Sequence, residues 1–150
     1  MTMQQESKSY MDKYLTSVPG MRRLPTAFAG PAVTPVQRPW GSWSVLYEGE
    51  GMKVKLIEVS PGHRLSLQYH RHRSELWICV SGRASAVVGE REIELVPRDT
   101  VTIPVGTVHR LGNPGDEPMS IVEVQQGDLL SEEDIVRLED DYHRAHPRDA

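Results

Sequence analysis

Gln68, His70, Glu75 and His109 are nitrogen and oxygen donors whose spacing could bring them to one cation. Gln68 and His70 are two apart, so on a strand they project from the same face. A turn over residues 71–74 would return Glu75 at the head of the next strand. His109 ends the segment Pro104-Val105-Gly106-Thr107-Val108-His109, where a third strand leaves its own Pro-x-Gly turn. Neutral and carboxylate donors of this kind suit Zn²⁺, and equally Mn²⁺, Fe²⁺, Co²⁺ or Ni²⁺. The alternative is a metal-free interior whose polar groups satisfy one another by hydrogen bonds.

Other residues could act on a ligand held there. His72 lies in the turn and reads as an acid/base group, an outer partner of the metal ligands, or a solvated histidine. Arg38, Lys53, Lys55, Arg73 and Arg110 are candidate anion binders. Lys53 and Lys55 share one strand face, and a buried ammonium needs a partner; otherwise that face is a solvated edge. Trp40, Trp43 and Trp77 read as core or subunit-interface residues before a sugar-stacking platform. Cys79 shares strand parity with Glu75 and Trp77 and reads as a small buried apolar residue. His63, His143 and His146 are expected to be exposed or inert.

The elements that must position these groups are short strands. Runs rich in β-branched and apolar residues occupy Trp43–Glu48, Lys53–Val59, Leu65–His70, Leu76–Val80, Arg83–Val88, Glu92–Val96, Thr100–Ile103, His109–Gly112 and Met119–Gln125. Gly, Pro, Asn and Asp punctuate them, which indicates a β-sandwich or closed barrel. Before them, residues 1–37 read as a short amphipathic helix over Gln5–Leu15 and then a proline-rich extended arm. After them, Ser131 and Asp134 resemble a capping box, and Ile135 and Leu138 follow at helical spacing, so a short C-terminal helix is expected. Residues 145–150 read as a tail.

The chain has 150 residues with a formal net charge of −4, which fits one domain of roughly a hundred residues with polar ends and argues against a nucleic-acid scaffold. No apolar run is long enough to span a membrane. The charged N-terminal residues do not resemble a signal peptide, so a cytoplasmic location is expected. A single cysteine excludes an internal disulfide and a thiolate zinc cage.

Two motifs resemble those of the cupin superfamily. Gly62, Gln68, His70, Glu75 and Gly82 match the first at its spacing, with Gln68 in the place of the leading His. Pro104, Gly106, His109 and Asn113 match the second, with Arg98 in the place of its leading Gly. The segments Arg38–Trp43, Lys53–Lys55, Leu65–Trp77 and Asn113–Pro118, with the acidic stretch Glu132–Tyr142, are similar to the cupin of type II mannose-6-phosphate isomerases. In many such proteins this cupin follows a sugar-nucleotide-forming domain. Leu76 stands where that family usually has His, and Arg71 where it commonly has another.

The resemblance implies an all-β double-stranded β-helix, a cupin jelly-roll barrel, over residues 38–144, and a homodimer is expected because such barrels commonly pair sheet edges. It implies a divalent metal, zinc foremost, on Gln68, His70, Glu75 and His109. The implied reaction converts mannose 6-phosphate to fructose 6-phosphate, with the metal stabilising an enediolate. His72, Lys55 or Arg110 would assist catalysis, and Arg38, Lys53 and Arg73 would hold the substrate phosphate. The rival classes are a non-catalytic metal-containing sugar-binding cupin and a non-haem Fe(II) oxygenase, for which two His and one carboxylate suffice.

Overall fold

The computed structural model describes residues 33–144. The expected Gln5–Leu15 helix, most of the proline-rich arm and the 145–150 tail lie outside the described residues. Two antiparallel sheets face each other. The first comprises β1 (Val36–Arg38), β2 (Gly41–Gly49), β3 (Met52–Val59), β10 (Met119–Gly127), β5 (Arg73–Ser81) and β8 (Thr100–Ile103), in that spatial order. The second comprises β11 (Ile135–Glu139), β4 (Leu67–His70), β9 (His109–Gly112), β6 (Ala84–Val88) and β7 (Arg91–Leu95). This is a cupin-type jelly roll. Among the described residues, no helix is long and apolar enough to cross a membrane.

The strands form where apolar and β-branched residues alternate with polar ones, and the alternation assigns the faces. Along β5, Arg73, Glu75, Trp77 and Cys79 are buried while the residues between them are half-buried. On the neighbouring β10, Gln125 lies opposite Glu75, Glu123 opposite Trp77 and Ile121 opposite Cys79. The interior therefore changes along these two strands from charged at one end to apolar at the other. Leu111, Met119 and Ile121 fill the apolar end, Trp77 and Ile103 stand beside the charged residues, and all five are at most 2% exposed. Burial of each such side chain contributes roughly 1.5–3 kcal/mol relative to exposure. That packed end gives the polar end a rigid frame.

Three features differ from the sequence reading, each for a physical reason. The turn after β4 is confined to Arg71 and His72, whose backbone N–H groups donate to Asp134 Oδ1 at 3.0 Å and Oδ2 at 3.1 Å. Gly127 backs this turn so closely that a Cβ there would collide with the His72 carbonyl. Arg73 is thereby the first residue of β5, and it faces inward.

The expected C-terminal helix is a single 3-10 turn, Glu132–Asp134, followed by strand β11. The Ser131 hydroxyl does cap the turn, accepting from Glu133 N at 3.1 Å. Ile135 then pairs with His70, and Val136 with Tyr69, at the open edge of β4. Sheet pairing by these β-branched residues outweighs the helical spacing. At the other end, Val36 and Gln37 belong to edge strand β1 beside β2, a position compatible with the surrounding prolines.

Candidate metal centre

His70 stands at the end of β4, Glu75 near the start of β5 and His109 at the start of β9. The two motifs are tied together by the backbone: Gly106 N donates to the His70 carbonyl at 2.8 Å. Gly106 has φ +79°, a left-handed conformation that glycine adopts without strain. Asn113 donates to the carbonyls of Val59 at 2.9 Å and Glu117 at 2.8 Å, which locks the strand leaving the second motif.

The three side chains converge in the buried polar end. His70 Nε2 is 2.9 Å from Glu75 Oε1, and His109 Nε2 is 3.6 Å from Glu75 Oε2. One donor atom from each residue lies within 4.8 Å of the others. His109 Nδ1 donates to the Thr107 carbonyl at 2.8 Å, which directs an Nε2 lone pair inward. That buried Nε2 has no hydrogen-bond partner among the described residues. His70 Nδ1 faces the Asp134 carbonyl at 3.4 Å, so its Nε2 is likewise turned towards Glu75.

The electrostatics suit a cation. Burial opposes the charge on Glu75, but the hydrogen bond and charge of His70, with His109 and Arg73, hold its carboxyl well below the usual carboxylate range. Burial pushes His109 below the usual imidazole range, and so favours its neutral, ligating form. An orphaned imidazole nitrogen, a second imidazole and an ionised carboxylate are the donors a divalent metal requires. The residues fit a metal.

A cavity of about 460 Å³, counting its open mouth, leads to this centre. Gln68, Glu75, Arg73, Lys55, Glu123 and Glu132 contribute to its polar wall, and Trp40 and Trp43 to its apolar wall. Gln68 is opposite His109 in the strand register, and its Oε1 accepts from Ser66 Oγ at 2.6 Å. Trp40 Nε1 is buried without a partner among the described residues, which leaves a donor for a ligand oxygen. Trp77 instead belongs to the core, donating through Nε1 to Glu75 Oε2 at 3.0 Å and Glu123 Oε2 at 3.1 Å. Cys79 is buried and free.

The candidate substrate-handling residues separate. Lys55 lines the cavity, ion-paired with Glu132 and with Nζ 4.1 Å from the centroid of the Trp43 ring. Arg38 lines its mouth. Arg73 is buried, donating to Glu75 Oε1 at 3.1 Å and the Ser131 carbonyl at 3.0 Å. Lys53 turns to Glu48 at 3.1 Å and the Leu130 carbonyl at 3.0 Å. His72 is outside the cavity lining, 3.5 Å from Asp128, because the short turn points it to solvent. Arg110 points to the opposite face of β9 from His109 and pairs with Glu139 at 3.3 Å.

Sequence reasoning missed Glu123, Glu132 and Asp134 as parts of the site. Glu123 could have been found from the alternation of β10, which places a carboxylate among inward apolar positions. Burial and the neighbouring Glu75 push its carboxyl up to about 8, despite Lys55 and Arg73. Burial opposes the charge on Glu132 too, but there Lys55 prevails and its carboxyl is lowered.

The sequence profile described as mannose-6-phosphate isomerase C-terminal matches residues 31–140. The chain belongs to that family. It is 50% identical over 109 residues to the alginate biosynthesis protein AlgA of Pseudomonas aeruginosa, covering 73% of this chain and 23% of that protein. Identity to the xanthan biosynthesis protein XanB of Xanthomonas campestris pv. campestris is 49% over 109 residues, with the same coverage. A mannose-1-phosphate guanylyltransferase of Sinorhizobium fredii is 42% identical over 110 residues, 73% of this chain and 22% of that protein. The chain thus spans less than a quarter of the length of these relatives.

Among solved structures, a cupin-2 domain protein, Rru_A2000 of Rhodospirillum rubrum, matches with TM-score 0.59 and 25% identity, covering 75% of this chain and 85% of that one. The capsular polysaccharide assembling protein CapF of Staphylococcus aureus has TM-score 0.65 at 22% identity, covering 77% and 34%, and supports the fold alone. Family membership puts the two departures in context. Leu76 faces away from Glu75 on β5, and Arg71 lies in the turn, so neither removes a donor from the centre.

Proposed function

We propose that this family member is a metal-dependent sugar-phosphate isomerase that interconverts mannose 6-phosphate and fructose 6-phosphate. The observation that carries the reading is the orphaned His109 Nε2, aimed at Glu75 on the floor of a cavity that opens to solvent. His70, Glu75 and His109 would hold the metal, with Gln68 as a further oxygen donor. Zinc suits this set, as do other divalent first-row ions. When bound, the metal supplies Lewis-acid stabilisation of negative charge developing on the sugar oxygens.

The chain's own residues supply the rest. Trp40 and Trp43 shield the sugar from water, and Trp40 Nε1 donates to one of its oxygens. Glu132, held ionised beside Lys55, takes the proton from C2 of the aldose and returns it to C1, while the proton of the C2 hydroxyl passes to the C1 oxygen, so that the carbonyl moves from C1 to C2. Lys55 Nζ keeps that carboxylate charged and oriented. Lys55, anticipated as a catalytic group, therefore acts through Glu132. On this reading the chain acts in the cytoplasm as a homodimer, and its product serves polysaccharide biosynthesis; that AlgA and XanB are alginate and xanthan biosynthesis proteins supports the last point alone.

The test is mannose 6-phosphate in D₂O with the metal-loaded chain. Deuterium entering the product at the carbons that exchange the proton supports the mechanism. Conversion without any deuterium would mean that the migrating hydrogen never exchanges with solvent, and conversion that survives Glu132→Gln would remove Glu132 from the role of proton carrier.

A second reading is a metal-free sugar-binding cupin. One observation favours it: Arg73 already places a guanidinium 3.1 Å from Glu75 Oε1 and 3.4 Å from His70 Nε2. Metal analysis of the purified chain separates the two, since the isomerase reading expects about one equivalent per chain.

A further inference from the structure

The cavity has two chemically different ends. Its floor holds the buried Glu75, whereas Arg38, at its mouth, is exposed and Arg144 is half-buried. Arg137 belongs with them. Ile135 lines the cavity, and Arg137, two residues on along β11 and opposite Gln68 in the register, projects from the same strand face.

Among the described residues, no carboxylate engages Arg137 within hydrogen-bond reach. Its Nε is buried and has no partner. Burial, followed by the charges of Arg144 and, more weakly, Arg38, pushes the Arg137 guanidinium below its usual range, while Asp140 and Glu132 only partly compensate. Asp140 is committed to Arg144, at 2.6 Å from NH2 and 2.9 Å from Nε, and Glu132 to Lys55. Arg38 spends one donor on the Gln37 carbonyl at 2.9 Å. Three guanidiniums with one neutralising carboxylate leave two positive charges uncompensated. Like charges gathered here, two of them on half-buried residues, are unfavourable unless an anion joins them.

We infer that Arg38, Arg137 and Arg144 form the subsite for a phosphomonoester dianion at the cavity mouth, with the rest of the ligand reaching inward to the His70–Glu75–His109 centre. A phosphomonoester carries nearly two negative charges at neutral pH, which matches the local excess. Guanidinium forks bind its oxygens in pairs. This assignment keeps Arg38 as a phosphate ligand and replaces Lys53 and Arg73, which are occupied elsewhere, by Arg137 and Arg144. The choice of a phosphorylated sugar rests on the isomerase reading; the anion site itself does not.

The test is titration calorimetry of the full chain with inorganic phosphate, with mannose 6-phosphate and with mannose, each with and without added zinc. Arg38→Gln, at an exposed position, and Arg137→Gln should each weaken phosphate binding by roughly tenfold or more. Mannose binding should be unchanged in both. Arg83→Gln, on another surface in a pair with Glu94, controls for general loss of charge. Phosphate binding that is absent in the native chain, or equally strong in Arg38→Gln and Arg137→Gln, overturns the inference. Phosphate binding lost in these variants in a chain that never turns over mannose 6-phosphate upholds the anion site and removes the isomerase reading. Turnover with an unaltered KM in both variants removes the arginine site and leaves the isomerase.

Discussion

His109 Nε2 lies 3.6 Å from Glu75 Oε2 and is the imidazole nitrogen of that ring left without a hydrogen bond, since Nδ1 is bound to the Thr107 carbonyl. Leaving a buried polar atom unpaired costs about 1–3 kcal/mol, and a ligand that pairs it recovers that cost. Added zinc should therefore stabilise the native chain, by RT ln(1 + [L]/Kd). In Glu75→Gln this stabilisation should vanish, measured as the shift of the melting temperature with zinc concentration.

Arg73 occupies the same centre as a built-in cation, and its removal should be felt unequally. In metal-free protein, Arg73→Met leaves the buried Glu75 without its guanidinium partner, with an expected loss of about 3–5 kcal/mol. Metal binding supplies replacement charge, so the loss should shrink in the loaded protein. Chemical denaturation of both proteins with and without zinc measures the difference. Equal losses in both states would show that Arg73 and metal do not share the site.

Asp134 holds the turn that aims His70, through the N–H groups of Arg71 and His72. Asp134→Ala should cost about 1–2 kcal/mol of stability, as for a lost cap. Zinc affinity should fall about 10-fold as well, because His70 loses its support. Equilibrium dialysis reads the second effect, which a purely structural role for Asp134 would leave unchanged.

The Glu123 carboxyl is pushed up to about 8 in the metal-free protein, by burial first and Glu75 second. A raised carboxyl binds its proton more tightly when folded than when unfolded. Its contribution to stability is full below the ordinary carboxylate range and is lost as pH rises through about 8. Glu123→Gln cannot lose that proton. Relative to the native chain, it should gain at least about 1 kcal/mol between pH 5 and pH 9, by urea denaturation across the range. A native-minus-variant difference that stays flat would show that Glu123 is ionised throughout.

Arg98 stands where the second motif usually has glycine, and its backbone has φ +83°. That conformation is costly for a residue with a Cβ. Arg98→Gly should stabilise the fold by about 0.5–1 kcal/mol, after the greater unfolded-state entropy of glycine is subtracted. Thermal unfolding of the two proteins measures it.

Much of this was legible because strand periodicity is strong here. Cys79, Trp77 and Glu75 were expected on one face, and they lie together inside the barrel. The motif spacing points to Gln68, His70, Glu75 and His109, of which the fold brings the last three within 4.8 Å of one another. What remained illegible depended on contacts distant in sequence. Ile135 and Leu138 have helical spacing, but the open edge of β4 draws Ile135 and Val136 into a strand. Asp134 shortens the turn after His70, which turns Arg73 inward and sends His72 to solvent. Arg110 follows His109 directly, so strand alternation alone was enough to place it on the other face.

The measurement that tests the central claim most directly is conversion of mannose 6-phosphate to fructose 6-phosphate by chain stripped of metal and reloaded with one divalent ion at a time. The account predicts no turnover in the stripped chain, turnover restored by zinc or another first-row ion, and none in Glu75→Gln. Folded, metal-loaded chain that converts no mannose 6-phosphate with any ion would contradict it, as would turnover that persists after the metal is gone.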